Sequence, residues 1–402
     1  MSVEPAPTWP AGAVLPDYGG GGLFGLMTNI AAYLDGGAFV PPGVASPAAS
    51  PSDERVLVFL LIDGLGDEFL QRYGRGSELL ARRQNRITSV FPSTTVSAVT
   101  TTLTALSPAR HGLTGWFTYD ARFGGIIAPL PMVVRGAGPI DAVLAPRRLF
   151  PYASLFQKRV RPSIIVTPSH LADSRFSRRH GRGAVTMPFR GLADMVEVID
   201  VACRQLEGGK GGLVHAYYPV FDALSHEHGS DSAVAQETFW RIDGAFARLC
   251  ARFEPRNVDI VVTADHGFID SPPERQIHLE DHPDLRDMLA TPLFGERRAA
   301  LCNVRPGAEP EFEAAAGCLL AGRAVVRRSH DLVEQGLFGP GRAHRRLHER
   351  LGSHALLMEE GWTLIDTLAD EKPHYMLGVH GGLSAREMWV PLIHAEFGTR
   401  GS

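Results

Sequence analysis

The sequence predicts an α/β fold with a doubly wound, mostly parallel central sheet. Three largely apolar runs predict strands: RVLVFLLI at residues 55–62, GLVHAYYPVFD ending near Asp222, and VDIVVTADHG ending at Asp265-His266. Runs of this kind are typical of strands that are buried on both faces of a parallel sheet. A fourth run, PSIIVTP, and helical segments such as Ser232 to Phe253 continue the pattern. Because strands and helices alternate along the chain, we expect helices on both faces of the sheet.

The length of 402 residues allows a large core, either in one α/β domain with an inserted subdomain or in two domains. Residues 1–52 are rich in Pro, Gly, Ala and Ser, and we expect this segment to pack on the core through its helical stretch LFGLMTNIAAYL. Residues 53–284 and 351–402 are predicted to form the core. Residues 285–350, with short strands in RRAALCNV and RAVVRR, are predicted to form a smaller α/β cap insertion.

Composition excludes several classes of partner. A formal net charge of -4 argues against binding to a nucleic-acid duplex, which favours a basic face. The sequence has neither an apolar run of membrane-spanning length nor the basic start and apolar core of a signal peptide. The four cysteines are far apart, which favours free thiols in a reducing compartment. We therefore expect a cytoplasmic protein without a membrane partner, and the sequence leaves its oligomeric state open.

Acidic and imidazole side chains lie at the ends of the predicted strands: Asp63 in LLIDG, Asp222 in DALSHEHG, and Asp265 and His266 in TADHG. His226 forms a D-x-x-x-H pair with Asp222, and His380 in GVHGG lies next to glycines that permit close approach to a ligand. Ligands of doubly wound sheets bind beyond the carboxyl ends of the strands, so these side chains are expected to converge. Each of these motifs alone is also typical of a turn or a helix cap. Together they predict a site for Zn²⁺ or a similar divalent ion.

The segment FPSTTVSAVTTTLTALSPARHG, residues 91–112, is rich in hydroxyl groups. A threonine at the junction before VSAVTTTLTAL would lie at a helix N-terminus, where free backbone N–H groups favour phosphate and alkoxide. A divalent ion beside it would make this hydroxyl nucleophilic. We expect Ser97, Thr100, Thr101, Thr102 and Thr104 to bond to carbonyl groups within the helix or to cap it.

These motifs resemble the alkaline phosphatase superfamily, and most closely its nucleotide pyrophosphatase/phosphodiesterase (type I phosphodiesterase) branch with the related phosphonoacetate hydrolases. The resemblance is carried by the D-G at Asp63, by Pro92 to Thr95, by Pro108 to Gly112, by FDALSH, by DHG and by HGGLSAREMWVPL. It implies a sheet of the alkaline phosphatase type and Thr95, rather than Thr94, as the nucleophile. It also implies two divalent metal ions, with zinc favoured over manganese or iron. One ion would be held by Asp222, His226 and His380, and the other by Asp63, Asp265 and His266 beside Thr95.

By the same resemblance, the expected activity is hydrolysis of phosphodiesters or nucleotide pyrophosphates through a phosphothreonine intermediate, with a small-molecule phosphate ester as substrate. The chain departs from the family at Trp116, where many relatives carry an asparagine that bonds a phosphoryl oxygen. Thr114, Tyr119 or a backbone N–H group are candidate replacements, and Trp116 either stacks on a substrate ring or packs under the cap. A phosphomonoesterase, a phosphonate hydrolase and a catalytically silent binding protein remain alternatives.

Overall fold

A seven-stranded sheet forms the centre of the fold in a computed structural model that describes residues 9–43, 54–369, 371 and 375–398. Five neighbouring strands of this sheet are parallel, and the strand Trp389–Glu396 runs antiparallel to its neighbours. The predicted mostly parallel α/β sheet is confirmed. From edge to edge, its strands are Arg83–Thr88, Trp389–Glu396, Val258–Thr263, Val56–Ile62, Gly212–Tyr218, Ser163–Pro168 and Val185–Phe189.

The continuous apolar run at Val56–Ile62 lies near the middle of this sheet. Each of its residues is buried, because strands flank it on both sides and helices cover both faces. The α-helices of the described residues are Leu23–Leu34, Asp67–Tyr73, Glu78–Ala81, Thr95–Thr104, Pro108–His111, Ala145–Leu149, Ser169–Ala172, Arg175–His180, Leu192–Leu206, Val220–His228, Ala233–Phe253, Pro283–Asp287, Glu309–Leu319, Ser329–Glu334, Leu347–Leu351 and Ala385–Met388.

The N-terminal segment contains the helix Leu23–Leu34 that its sequence predicts. The apolar face of this helix, including Leu26 and Ile30, is buried in the same core as the central sheet. Residues 1–8 and 44–52 of the predicted segment lie outside the described residues, so its full extent stays a prediction.

A second, antiparallel sheet, which we call the cap sheet, lies in the later part of the chain. Its strands, in spatial order, are Phe294–Gly295, Ala299–Cys302, His354–Met358 and Ala324–Arg328. The helix Glu309–Leu319 packs against the cap sheet around a separate apolar cluster that includes Phe312. The cap sheet includes the two predicted short strands and continues beyond residue 350. The division of the chain at residues 285 and 350 therefore remains a prediction.

The remaining strands are short and form three small sheets. Among the helices of the described part of the chain, none is long and apolar enough to cross a membrane. The strands of the small sheets are Thr118–Asp120, Gly125–Ala128, Val133–Val134 and Gly138–Pro139 in one, Ile269–Asp270 and Gly378–Val379 in another, and Gln276–His278 and Thr363–Ile365 in the third.

Candidate metal centre

Three neighbouring strands of the central sheet direct the predicted ligands to one edge. Asp63 directly follows Val56–Ile62, and Asp265 follows Val258–Thr263 after a single residue. Asp222 lies in the first turn of the helix that begins after Gly212–Tyr218. Because the three strands are parallel, their carboxyl ends meet at the same edge.

The D-G turn after the first strand requires its glycine. Gly64 has a φ of 79°, and a Cβ atom there would lie 2.4 Å from the Phe268 ring. The Gly64 N–H donates a hydrogen bond of 3.0 Å to Asp265 Oδ1. This turn therefore joins two of the site loops and leaves no room for a side chain.

Asp63, Asp265 and His266 form the first ligand group. His266 Nε2 lies 3.4 Å from Asp63 Oδ1 and 3.4 Å from Asp265 Oδ2. All three residues are buried, and their ligand atoms lie within 4.8 Å of one another. The structure thus brings together one of the two groups that the family resemblance implies.

Asp222, His226 and His380 form the second ligand group. Asp222 Oδ1 lies 3.5 Å from His226 Nε2 and 3.7 Å from His380 Nε2, and the two Nε2 atoms are 3.2 Å apart. Asp222 and His226 share one face of the helix Val220–His228, as their spacing predicts. His266 Nε2 is 3.9 Å from Asp222 Oδ1, so His266 lies between the two groups.

Each imidazole in the site is oriented by a backbone carbonyl. The Nδ1 atoms of His226, His266 and His380 donate to the carbonyl oxygens of Gly378, Gly267 and Ser93, at 2.8, 3.0 and 3.1 Å respectively. An imidazole that donates from Nδ1 presents the lone pair of Nε2, the arrangement that metal-binding histidines use. Three such lone pairs therefore face the same small space.

The carboxylates leave buried oxygen atoms without partners. No described residue donates a hydrogen bond to Asp63 Oδ1, Asp222 Oδ1 or Asp265 Oδ2. Burial raises the pKa of Asp63 well above its ordinary value, and the charges of Asp265 and Asp222 raise it further. Burial likewise raises the pKa of Asp222. Unpaired oxygens and imidazole lone pairs around one space fit divalent cations, because cations satisfy both sets of atoms.

Tyr217 also lies at the site, although the sequence does not single it out. Its hydroxyl donates to Asp63 Oδ2 across two adjacent strands. Burial, together with the charge of Asp63, raises the pKa of Tyr217 well above its ordinary value, so the hydroxyl remains a donor. This contact leaves Asp63 Oδ1 as the free oxygen that faces the centre.

Thr95 is the first residue of the threonine-rich helix, and Thr94 is its N-cap. The Thr95 hydroxyl lies 3.3 Å from His266 Nε2, beside the first ligand group. Thr95 is partly exposed, whereas Thr94 is fully buried and its hydroxyl donates to Glu296 Oε1 at 2.6 Å. Of these two threonines, Thr95 is therefore the one that is partly exposed and lies beside the first ligand group.

The other hydroxyls of the helix divide into two sets. Three of the five donate to backbone carbonyls of the helix, as expected, and these are Thr100, Thr102 and Thr104. The expectation is wrong for the other two. Ser97 donates to the carbonyl of Leu113, and Thr101 contacts His111 Nε2 at 3.3 Å. Both reach the turn that follows the helix, and they fix it against the helix.

The three residues expected to bind substrate have different surroundings. Trp116 is 42% exposed, so its indole ring is available to a ligand. Thr114 is buried, and its hydroxyl donates to the carbonyl of Arg350 at 3.0 Å. Tyr119 is partly buried against the Phe294 ring, with the ring centroids 5.9 Å apart. Substrate contact by Trp116, Thr114 or Tyr119 remains a prediction.

The sequence did not single out Glu296, which lies beside this site. It belongs to the tight turn between the first two strands of the cap sheet. Its Oε1 atom accepts hydrogen bonds of 2.6 Å from the Thr94 hydroxyl and from the Trp116 N–H. The backbone N–H of Trp116, one candidate donor to a phosphoryl oxygen, is therefore already paired.

Solved structures with the same fold include nucleotide pyrophosphatase/phosphodiesterases and a phosphonoacetate hydrolase. Murine ectonucleotide pyrophosphatase/phosphodiesterase 5, as an inactive variant in complex with AMP, has a TM-score of 0.63 and 18% identity over 84% of this chain and 87% of that chain. The human protein of the same name has a TM-score of 0.60 and 18% identity over 87% of this chain and 91% of that chain. Phosphonoacetate hydrolase from Sinorhizobium meliloti, in complex with phosphonoformate, has a TM-score of 0.63 and 18% identity over 88% of this chain and 92% of that chain. No curated protein sequence matches the chain.

The fold and the family comparison define a phosphoric ester hydrolase of the alkaline phosphatase superfamily. The family model for type I phosphodiesterase / nucleotide pyrophosphatase matches residues 57–383, which is most of the chain. The chain belongs to that family.

Proposed function

We propose that the protein is a metal-dependent hydrolase of phosphodiesters or nucleotide pyrophosphates, with Thr95 as the nucleophile. The observation that carries this proposal is the position of Thr95. The residue is partly exposed, and its hydroxyl lies at a helix N-terminus, 3.3 Å from His266 Nε2 in the first ligand group. The helix N-terminus favours the negative charge that develops on the hydroxyl and on the phosphoryl group.

The two ligand groups would hold two divalent ions. Asp63, Asp265 and His266 would hold one beside Thr95, and Asp222, His226 and His380 would hold the other. We propose zinc, with manganese or iron as alternatives, because mixed carboxylate and imidazole ligands suit these metals. When bound, the ions would lower the pKa of the hydroxyl and neutralise phosphoryl charge.

The proposed reaction has two displacement steps at phosphorus. In the first, Thr95 Oγ1 forms a bond to phosphorus, the ester P–O bond breaks, and the leaving oxygen takes up a proton. In the second, water attacks phosphorus, the Thr95 P–O bond breaks, and the threonine hydroxyl is restored. Tyr217 holds Asp63 through both steps by donating to its Oδ2 atom.

The exposed ring of Trp116 supports a substrate with an aromatic group. An exposed indole can stack on a nucleobase or a phenyl ring. AMP in the murine structural relative is a ligand of that kind. A phosphonate or a phosphomonoester is the second candidate substrate, because phosphonoacetate hydrolase shares the fold at a similar level. A silent binding protein is disfavoured, because unpaired buried carboxylates destabilise a fold that does not bind cations.

The proposed location is the cytoplasm. All four cysteines are free, and Cys318 is exposed. An exposed thiol suits a reducing compartment. A labelled fusion protein that accumulates outside the cell or in its envelope would contradict this proposal.

The function is tested by comparing rates on bis-p-nitrophenyl phosphate, p-nitrophenyl-thymidine monophosphate, p-nitrophenyl phosphate and phosphonoacetate after addition of Zn²⁺ or Mn²⁺. We expect the diesters to be at least about tenfold faster than the monoester, a difference of about 1.4 kcal/mol in the barrier. The Thr95→Ala variant is the control for contaminating hydrolases. A preference for p-nitrophenyl phosphate or phosphonoacetate would replace the proposed substrate class, and full activity of Thr95→Ala would exclude Thr95 as the nucleophile.

A further inference from the structure

Glu296 links the cap sheet to the two loops beside the nucleophile. Its Oε1 atom accepts from Thr94, whose neighbour in the chain is Thr95, and from the backbone of Trp116. Both bonds are 2.6 Å long, so the carboxylate is held in place by two donors on one oxygen.

The side chain of Glu296 also lies against the loop that carries His380. A Cβ atom on Gly381 would lie 2.7 Å from both Cβ and Cγ of Glu296, so only glycine permits this approach. The charge of Glu296 contributes to the raised pKa of Asp222, after burial and the charge of Asp265. Glu296 is thus placed between the nucleophile loop and the second ligand group, and its charge acts on the centre.

We propose that Glu296 determines the charge of the substrate, by disfavouring a phosphoryl group with two negative charges relative to one with a single negative charge. This inference rests on the proposed function, because it assumes that the phosphoryl group binds beside Thr95. A phosphomonoester is a dianion at alkaline pH, whereas a phosphodiester is a monoanion. A fixed carboxylate repels the dianion more strongly.

The bond to Trp116 acts in the same direction. A free backbone N–H at this position would stabilise a charged phosphoryl oxygen. Glu296 uses this donor for its own carboxylate, so the site loses one donor and gains one negative charge. Both effects weaken the binding of the more highly charged group, which favours diesters over monoesters.

The test measures binding without turnover, in the metal-loaded Thr95→Ala protein. Burial raises the pKa of Glu296 to about 7, so at pH 8 the carboxylate is ionised. Calorimetry gives the dissociation constants of inorganic phosphate, a dianion, and of diethyl phosphate, a monoanion. Adding Glu296→Gln removes the charge and keeps an oxygen that accepts from Thr94 and Trp116. We expect the ratio of the two dissociation constants to shift about tenfold in favour of phosphate.

Two control variants separate this effect from other causes. Glu296→Asp keeps the charge and should keep the ratio of the parent. Glu334→Gln removes an exposed carboxylate and should also leave the ratio of the two dissociation constants unchanged. An unchanged ratio in Glu296→Gln, an equal loss of affinity for both anions, or no binding of either anion by the parent would overturn the inference.

A kinetic measurement distinguishes this inference from the proposed function. In the protein with Thr95 intact, Glu296→Gln should raise the kcat/KM of p-nitrophenyl phosphate relative to that of bis-p-nitrophenyl phosphate by about tenfold. If the natural sequence hydrolyses neither ester but the binding ratio shifts, the proposed function fails and the role of Glu296 stands. If both esters are hydrolysed but Glu296→Gln shifts neither the ratio of dissociation constants nor the ratio of kcat/KM values, the proposed role of Glu296 is wrong and the proposed function stands.

Discussion

The Nε2 atoms of His226 and His380 lie 3.2 Å apart and face each other. Each ring donates its Nδ1 proton to a backbone carbonyl, which leaves two lone pairs facing each other. Two lone pairs at this distance repel unless a cation or a proton lies between them. Burial and the neighbouring imidazoles lower the pKa of His380, which disfavours the proton. A bound cation is the arrangement that stabilises this pair.

Removal of metal is therefore expected to destabilise the protein. Without cations, the buried carboxylate oxygens of Asp63, Asp222 and Asp265 repel one another and lack partners. Ions at a hundredfold excess over their dissociation constant contribute about 2.7 kcal/mol per site. We expect chelation to lower the melting temperature by at least about 5 °C and re-addition of Zn²⁺ to restore it. Differential scanning fluorimetry provides this measurement.

A surface group of potential ligands provides the control for metal content. His330, Asp331 and Glu334 also place ligand atoms within 4.8 Å of one another, but they lie largely at the surface. Elemental analysis should find about two ions per chain in the natural protein and in a His330→Ala variant, and fewer in Asp222→Asn. Retention of all metal by Asp222→Asn would contradict the assignment of the second ligand group.

Loss of the Thr95 hydroxyl is expected to remove the reaction itself. Thr95→Ala should lower kcat by at least about a thousandfold, the scale seen when a nucleophile is deleted. Thr95→Ser keeps a hydroxyl at the helix N-terminus and is the matched control, which should retain measurable turnover. Acid quenching during turnover, followed by mass spectrometry of the peptide with Thr95, should show a phosphoryl group. A fully active Thr95→Ala, or a phosphoryl group on another residue, would contradict the mechanism.

The sequence predicted the middle of the fold better than its edges. Val56–Ile62 is apolar at every position because it is buried on both faces, so its pattern alone identifies it. The edge strand Arg83–Thr88 is polar over most of its length, because one side of it faces solvent. The pair Ile269–Asp270 and Gly378–Val379 has two residues per strand, which is too short for any periodic pattern. Such strands form only because the rest of the chain brings them together.

The same contrast holds for the site. Asp63 and Asp265 were predictable, because each follows an apolar strand whose direction fixes where the next side chain lies. Tyr217 and Glu296 were not, because their contacts join residues 154 and 202 positions apart in the sequence. The one feature of the sequence that could have indicated the role of Tyr217 is its position near the end of Gly212–Tyr218, the strand that pairs with Val56–Ile62. For Glu296, the sequence offers no comparable signal.

The buried ion pair of Arg298 and Glu387 is expected to stabilise the loop that carries His380. Glu387 accepts from the backbone N–H groups of Gly382 and Ser384, and Arg298 donates to both of its oxygens. Burial alone would raise the pKa of Glu387, but the charge of Arg298 and the hydrogen bonds from Arg298, Ser384 and Gly382 together outweigh it and lower this pKa. Arg298→Met leaves an unpaired buried carboxylate and should lower the free energy of unfolding by about 3–5 kcal/mol.

Urea denaturation of matched variants checks the role of this pair. Arg241 pairs with Glu237 on an exposed helix face, so Arg241→Met should change stability by less than about 0.5 kcal/mol. The double variant Arg298→Met/Glu387→Leu removes both charges and should be more stable than Arg298→Met alone. If Arg298→Met is as stable as Arg241→Met, the Arg298–Glu387 pair does not stabilise the fold.

Acid is expected to destabilise the protein through His215, which lies behind the threonine-rich helix. His215 Nε2 donates to Thr102 Oγ1 at 3.2 Å, while its Nδ1 is buried without a partner among the described residues. Burial lowers the pKa of His215 from its ordinary value of 6.5 to about 4. Because the unfolded chain binds this proton at a higher pH than the folded chain does, stability falls as the pH decreases from about 6.5 to about 4.

The His215→Gln variant isolates this contribution, because glutamine keeps an N–H group for Thr102 and does not titrate. Between pH 7 and pH 4, the natural protein should lose about 3 kcal/mol more of its unfolding free energy than His215→Gln loses, as measured by urea denaturation at each pH. The exposed residue His170 provides the matched control, and His170→Gln should follow the natural protein. If His215→Gln also follows the natural protein, the imidazole is protonated in the folded state as readily as in the unfolded state. Its burial beneath the helix would then have no effect on the acid stability of the protein.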